Sequence, residues 1–286
     1  MTNHHQGAGM AGQSASIGKM EKIARQIRGK VVEMSHHSKA SHLGSALSCV
    51  DILVALYWGV GHLDKNIIET PSRDRVILSK GHAIASLYAV LAFKGIIDDD
   101  LLASFCSPGS RLEEHPGPHS PKGVEAATGS LGHGLSLGTG MALAGRINRQ
   151  AYNVYVLSSD GESNEGSIWE AAMMAAARKL SRLCVIVDYN KWQATGRSRD
   201  IMAIEPFCDK WNSFGWEAVE VDGHDMKALV KILSKTKEDR DRPLAVIAHT
   251  IKGKGISFME DDNNWHYKIP SATDVEQALK ELKIEK

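Results

Sequence analysis

A chain of 286 residues, 43% hydrophobic and 24% charged, has material for one large α/β domain or two small ones. Lys plus Arg and Asp plus Glu both number 34, so the charge balance calls for neither nucleic acid nor an anionic membrane. No apolar stretch approaches a membrane span. Residues 1–15, MTNHHQGAGMAGQSA, are polar and Gly-rich and lack the apolar core of a signal peptide. They read as a flexible lead-in to a cytoplasmic protein whose folded part is 16–286. Cys49, Cys106, Cys184 and Cys208 are far apart with no CxxC pair, which argues against a zinc site or a disulfide framework. Cys49 and Cys184 lie in apolar runs and read as small buried hydrophobes.

In chain order, apolar residues at helical spacing predict a helix over 17–34, with Ser16 as its cap. A second helix should begin near Ser45. A short strand over 75–78 is followed by a turn at Lys80-Gly81 and a helix ending at Gly95. Residues 107–123 are dense in Pro and Gly and read as a loop. The Gly-rich turn TGSLGHG leads into a small-residue helix. Then come a strand over 154–157, a helix over 168–180, a strand over 183–187 and a helix over 204–214. A strand over 216–221, a helix over 226–236 and a strand over 244–248 follow. The C-terminal helix should be capped by Ser271 or Thr273. Strands that are near-continuous apolar runs, alternating with helices, predict a mostly parallel sheet covered by helices on both faces. Such a sheet binds ligands at the carboxyl ends of its strands.

The stretch YVLSSDGESNEGSIWEAAMMAAARKLSRLCVIVDYNKWQATG, from Tyr155 to Gly196, ends two apolar runs in oxygen-bearing side chains. Asp160 and Asn190 each follow a strand. If the strands are neighbours, a carboxylate, a carboxamide and one backbone carbonyl make a partial octahedron for magnesium or calcium, completed by phosphate oxygens and water. Gly161 lets the backbone approach a phosphate, and the helix beyond it presents its N-terminus. Taken alone, Asp-Gly also marks an ordinary turn.

The whole ordered string, Asp-Gly, Glu-Gly, Trp-Glu-Ala, an alanine-rich helix, an apolar strand and Asp-x-Asn, is similar to the thiamine-diphosphate motif, with Ser159 in place of its first Gly. Four histidine contexts narrow the match: KASHLGSAL with His42, SKGHAIASLY with His82, RLEEHPGPHSPKG with His115 and NNWHYKIP with His266. Together they resemble the N-terminal, pyrophosphate-binding half of the transketolase family. The resemblance spans about 17–270 and implies the thiamine-diphosphate-binding fold.

The resemblance implies that Asp160, Asn190 and the carbonyl of Trp192 hold the metal. Gly161 and His82 match positions that contact the diphosphate, and Gly132 a position facing the aminopyrimidine. Leu131 and Glu162 join the same cofactor-binding set. His42, His82, His115 and His266 match active-site histidines that handle sugar hydroxyls and protons. Glu165 matches an acidic residue at the subunit boundary. Glu114 stands where the family pattern usually has Gly, and His133 where it more often has Gln. Histidine suits this work because its ordinary pKa lies near neutrality. His224, in VDGHD, follows a strand and carries no assigned role.

A transketolase-like chain normally continues into a pyrimidine-binding domain, and none follows here before Lys286. The resemblance therefore implies that a separate C-terminal subunit completes the active site, with two copies of each chain as the simplest symmetric assembly. The implied reaction moves a two-carbon ketol unit from a ketose or ketose phosphate to an aldose. Alternatives are the α subunit of a 2-oxo acid dehydrogenase and a deoxyxylulose-phosphate-synthase-like enzyme.

Overall fold

A computed structural model describes residues 15–284 of the chain; most of the 1–15 lead-in, with His4 and His5, lies outside the described residues. The N-terminal helix α1 (Ile17–Ser38) is capped by the Ser16 hydroxyl, which accepts from the Lys19 amide. It buries Met20, Ile23, Ile27, Val31 and Met34, the predicted stripe. It runs past Met34 because nothing breaks it before Lys39, whose left-handed backbone (φ 57°) ends it.

Two short helices, α2 (Leu43–Ser48) and α3 (Val50–Val54), continue into a π-helical turn at Ala55–Val60. Strand β1 (Arg75–Leu78) leads through a tight turn into α4 (Ile84–Phe93), followed by the short α5 (Asp99–Ala103). The long loop is as expected, and α6 (Gly134–Ile147) follows the Gly-rich turn. Next come β2 (Val154–Ser159), α7 (Gly166–Ala177) and β3 (Leu183–Tyr189). After α8 (Ser198–Ile201) and α9 (Phe207–Ser213) the chain forms β4 (Glu217–Asp222), α10 (Met226–Ser234), β5 (Leu244–His249) and α11 (Ala272–Glu281).

The predicted helix over 204–214 starts only at Phe207. Pro206 precedes it, lacks an N–H and restricts the residue before it. Ser271 caps α11 in a capping box with Asp274.

Among the described residues the five strands are parallel, in the order β1-β2-β3-β5-β4. The edge strand β4 carries charged residues and is only partly buried, whereas the continuous apolar character of the inner strands β2, β3 and β5 has a direct cause. Tyr155 and Leu157 of β2 pack with the layer containing α1 to α4, α10 and α11, while Val154 and Val156 pack with α6, α7 and α9. Alternate residues point to opposite faces, and both faces are covered. Cys49 and Cys184 are buried as expected, and all four cysteines are free thiols.

Strands β2 and β3 are neighbours, with Ser159 opposite Asp188. This register brings the Asp160 and Asn190 turns together at one end of the sheet. Insertion of β5 beside β3 brings the loop after His249 to the same end.

Candidate active site

Four loops deliver the histidines. His42 sits at the N-terminus of α2 with a left-handed backbone (φ 65°). His82 lies in the single 3-10 turn after β1, His115 in the loop before α6, and His266 in the 3-10 turn Asn263–His266. Their rings form one cluster. The His42 ring centroid lies 5.5 Å from His82, 5.2 Å from His115 and 4.9 Å from His266; His82 and His266 are 5.9 Å apart. Tyr267, which the sequence did not single out, packs 4.7 Å from His266.

Burial favours the neutral form of His42, His82 and His266. It pushes His82 well below the usual histidine range, with Lys80 adding to the effect. It lowers His266 to about 3, helped by the Lys252 ammonium. It also lowers His42, where Glu114 partly offsets it. Neutral imidazoles at neutral pH can accept or donate one proton each.

Beside this cluster, Asp160 is 1% exposed. Its carboxylate accepts from the Ser198 hydroxyl at 2.7 Å, the Lys191 amide at 3.0 Å and the Gly161 amide at 2.9 Å. These partners are neutral, and burial raises its pKa to about 6. Asn190 is also buried, and its carbonyl accepts from the Trp192 amide at 3.1 Å. The Gln193 side chain packs against Gly161, and its buried Nε2 has no partner among the described residues. The loop is clasped from outside: Arg197 forms two hydrogen bonds to Asp261 and stacks 3.8 Å over Trp192, whose indole N–H also donates to Asp261. Among the described residues no three His, Cys, Asp or Glu side chains are placed to hold a metal. The predicted oxygen set includes one such side chain only.

Glu162 lies inside the framework. Its carboxylate accepts from the Ser79 hydroxyl, the Gly132 amide at 2.9 Å and the Ser159 amide at 3.3 Å. It thus ties the turns after β1 and β2 to the Gly-rich turn before α6. Gly132 needs its φ of 85°, and a Cβ there would meet Ser167 Oγ at 2.5 Å and Glu165 Cβ at 2.8 Å. Leu131 is half-buried in that turn. Glu165, exposed at the N-terminus of α7, stands outside the histidine cluster. His224 belongs to the scaffold: it bridges Asp51, itself bidentate to Arg28, and the Ile251 amide.

Two lysines escaped the sequence reading. Lys80 is fully buried, paired with Asp188 and donating to the Ser45 carbonyl at 2.9 Å. Burial disfavours both charges, but each partner holds the other ionised. Asp188 also accepts from Ser48 at 2.6 Å and from Thr250. Lys252 is buried with its ammonium on Asn263 Oδ1 at 2.6 Å and His266 Nδ1 at 3.1 Å, and burial lowers its pKa to about 8. The signal for both was a lysine two or three residues beyond a strand end, in SKGH and HTIKGKG.

The family described as transketolase, thiamine diphosphate binding domain, matches residues 19–286. One subunit of an apulose-4-phosphate transketolase from Actinobacillus succinogenes is 42% identical over 94% of this chain and 98% of its own length. The 6-deoxy-6-sulfo-D-fructose transketolase subunit SqwG from a Clostridium species is 40% identical over 84% of this chain and 88% of its own length. The solved transketolase from Leishmania mexicana superposes with a TM-score of 0.87 at 27% identity; it covers 96% of this chain, which spans 42% of that longer protein. On the family match and these relatives, the chain belongs to the transketolase family and carries its thiamine diphosphate binding domain.

Proposed function

We propose that this chain, as a single pyrophosphate-binding domain, is the N-terminal subunit of a split transketolase. A separate C-terminal subunit completes the active site, in a cytoplasmic α2β2 assembly. The enzyme moves a two-carbon ketol unit from a ketose or ketose phosphate to an aldose. The observation that carries this reading is the packing of four histidines from four loops beside the buried Asp160 and Asn190 turns. The similar apulose-4-phosphate and 6-deoxy-6-sulfo-D-fructose transketolase proteins, each a subunit, support the division into two chains.

The residues fit a diphosphate held through a divalent ion. Asp160 is a buried carboxylate with neutral partners, so a bound cation would supply its missing countercharge. Asp160, Asn190 and the Trp192 carbonyl would hold Mg²⁺ or Ca²⁺, both of which take oxygen ligands. Gly161 and His82 would contact the diphosphate, with Gly132, Leu131 and Glu162 framing the cofactor. The chemistry supplied by bound thiamine diphosphate is an electron sink for cleaving a carbon–carbon bond next to a carbonyl.

The chain's own contribution is proton handling and orientation. His42, His82, His115 and His266 face one space from four loops and exchange protons with substrate hydroxyl and carbonyl oxygens. Burial keeps His42, His82 and His266 neutral and so able to do this near pH 7. Glu165 lies exposed, where a partner subunit can couple to it.

The test is calorimetric titration of thiamine diphosphate with Mg²⁺ into this chain, alone and with the C-terminal chain, followed by product analysis. Weak binding alone, tight binding together and ketol transfer from a ketose donor are expected. Tight binding alone would remove the shared site, and turnover of pyruvate without ketose transfer would replace the reaction.

A further inference from the structure

Glu114 and Ser41 determine which nitrogen of His42 carries its hydrogen. Glu114 Oε1 accepts from the Ser41 amide at 2.8 Å and from the Ser41 hydroxyl at 2.6 Å. A serine hydroxyl has one hydrogen, and here the carboxylate takes it. The same hydroxyl oxygen lies 2.9 Å from His42 Nδ1. At that contact it can only accept, so Nδ1 carries the hydrogen. Glu114 Oε1, 3.3 Å from the same nitrogen, is likewise only an acceptor. The lone pair of the neutral ring therefore resides on Nε2.

His266 has the opposite polarity. Its Nδ1 lies 3.1 Å from the Lys252 ammonium, which only donates. The hydrogen of His266 is thus on Nε2. The two rings, 4.9 Å apart and nearly perpendicular, present an unprotonated nitrogen and an N–H respectively. His82, His115 and Tyr267 meet the His42 ring as rings, and the Lys252 charge acts on it through space.

We propose that Glu114 is a positioning residue that, through Ser41, locks His42 as its Nδ1–H tautomer, leaving Nε2 as a proton acceptor in the same cluster as His266, whose hydrogen is on Nε2. The use of that acceptor on a substrate hydroxyl rests on the transketolase reading; the lock itself does not. Glu114 would then impart direction to proton transfer without touching substrate.

The experiment is nitrogen NMR of ¹⁵N-histidine-labelled full-length chain, alone and assembled with thiamine diphosphate, Mg²⁺ and the C-terminal chain. His42 is assigned by His42→Gln. Wild type should show His42 unprotonated at Nε2. Glu114→Ala frees the Ser41 hydroxyl to donate to Nδ1 and should shift His42 toward the Nε2–H form. Glu114→Gln keeps an acceptor oxygen and should keep the wild-type pattern. Ketol-transfer kcat should fall about tenfold in Glu114→Ala with KM within about twofold, and Glu114→Gln should stay within about threefold of wild type. Glu114 is 39% exposed at its side chain, so its truncation opens no core cavity. An Nε2–H tautomer in wild type, or an unchanged His42 pattern in Glu114→Ala, would overturn the proposal. The inferred tautomer in an assembly that transfers no ketol unit would uphold the lock and sink the transketolase reading alone.

Discussion

The main-chain N–H of His42 donates to the carbonyl of His266 at 2.8 Å. Two loops from opposite ends of the chain are thereby joined at the backbone, and their rings are held 4.9 Å apart. Side-chain changes at either position leave this link intact. The cluster can therefore be probed one ring at a time without dismantling the loops.

His266→Ala should lower the ketol-transfer kcat of the assembled enzyme by about 100-fold, as for loss of a general acid–base group. Thiamine diphosphate affinity, read by calorimetry, should change little. An unchanged kcat would remove His266 from proton transfer.

Asp160→Ala should abolish detectable binding of thiamine diphosphate with Mg²⁺ in the assembled enzyme. The far-ultraviolet circular dichroism should stay that of wild type, since the lost carboxylate is replaced by a smaller apolar group at the rim of the sheet. Wild-type affinity in this variant would refute the metal assignment.

Breaking the Lys80–Asp188 pair tests the scaffold under the site. Lys80→Met leaves the Asp188 carboxylate buried without its cation and should cost about 3–5 kcal/mol in urea unfolding. The double variant Lys80→Met/Asp188→Leu removes both charges and should recover much of that loss. A double variant no more stable than the single one would show that the other donors to Asp188, Ser48 and Thr250, matter more than the pairing.

The buried histidines also predict an acid sensitivity. Folded His82 and His266 have pKa values depressed below that of the unfolded chain. Below the unfolded value of about 6.5, the unfolded state binds more protons, so stability rises with pH and falls as pH drops toward 3. Urea unfolding of the chain between pH 7 and pH 5 should show this decline. His266→Gln should flatten the slope by roughly 1 kcal/mol per pH unit. A slope identical to wild type would mean that His266 is protonated in the folded state at pH 5.

The four histidine contexts were legible through their resemblance to the transketolase pattern, and only His82 also follows the end of an apolar strand. The Asp160 and Asn190 turns were legible because each ends an apolar run, and the sheet register then put them side by side. Lys80 was visible only as part of a turn, since a lysine after a strand usually means solvent. Glu114 was visible as a departure from a pattern, but its bond to Ser41 was not.

From sequence alone follow the parallel sheet, the helices on both faces and the strand ends where the candidate site lies. Local rules suffice there: a strand buried on both faces must be apolar throughout, and a turn must carry residues that tolerate it. Only the tertiary structure decided that β5 lies between β3 and β4, that Lys80 finds Asp188, and that Ser41 and Glu114 meet beside His42. These contacts join segments distant in the chain. Their free energy depends on burial and on the one geometry in which each donor finds its acceptor, and no local periodicity encodes either.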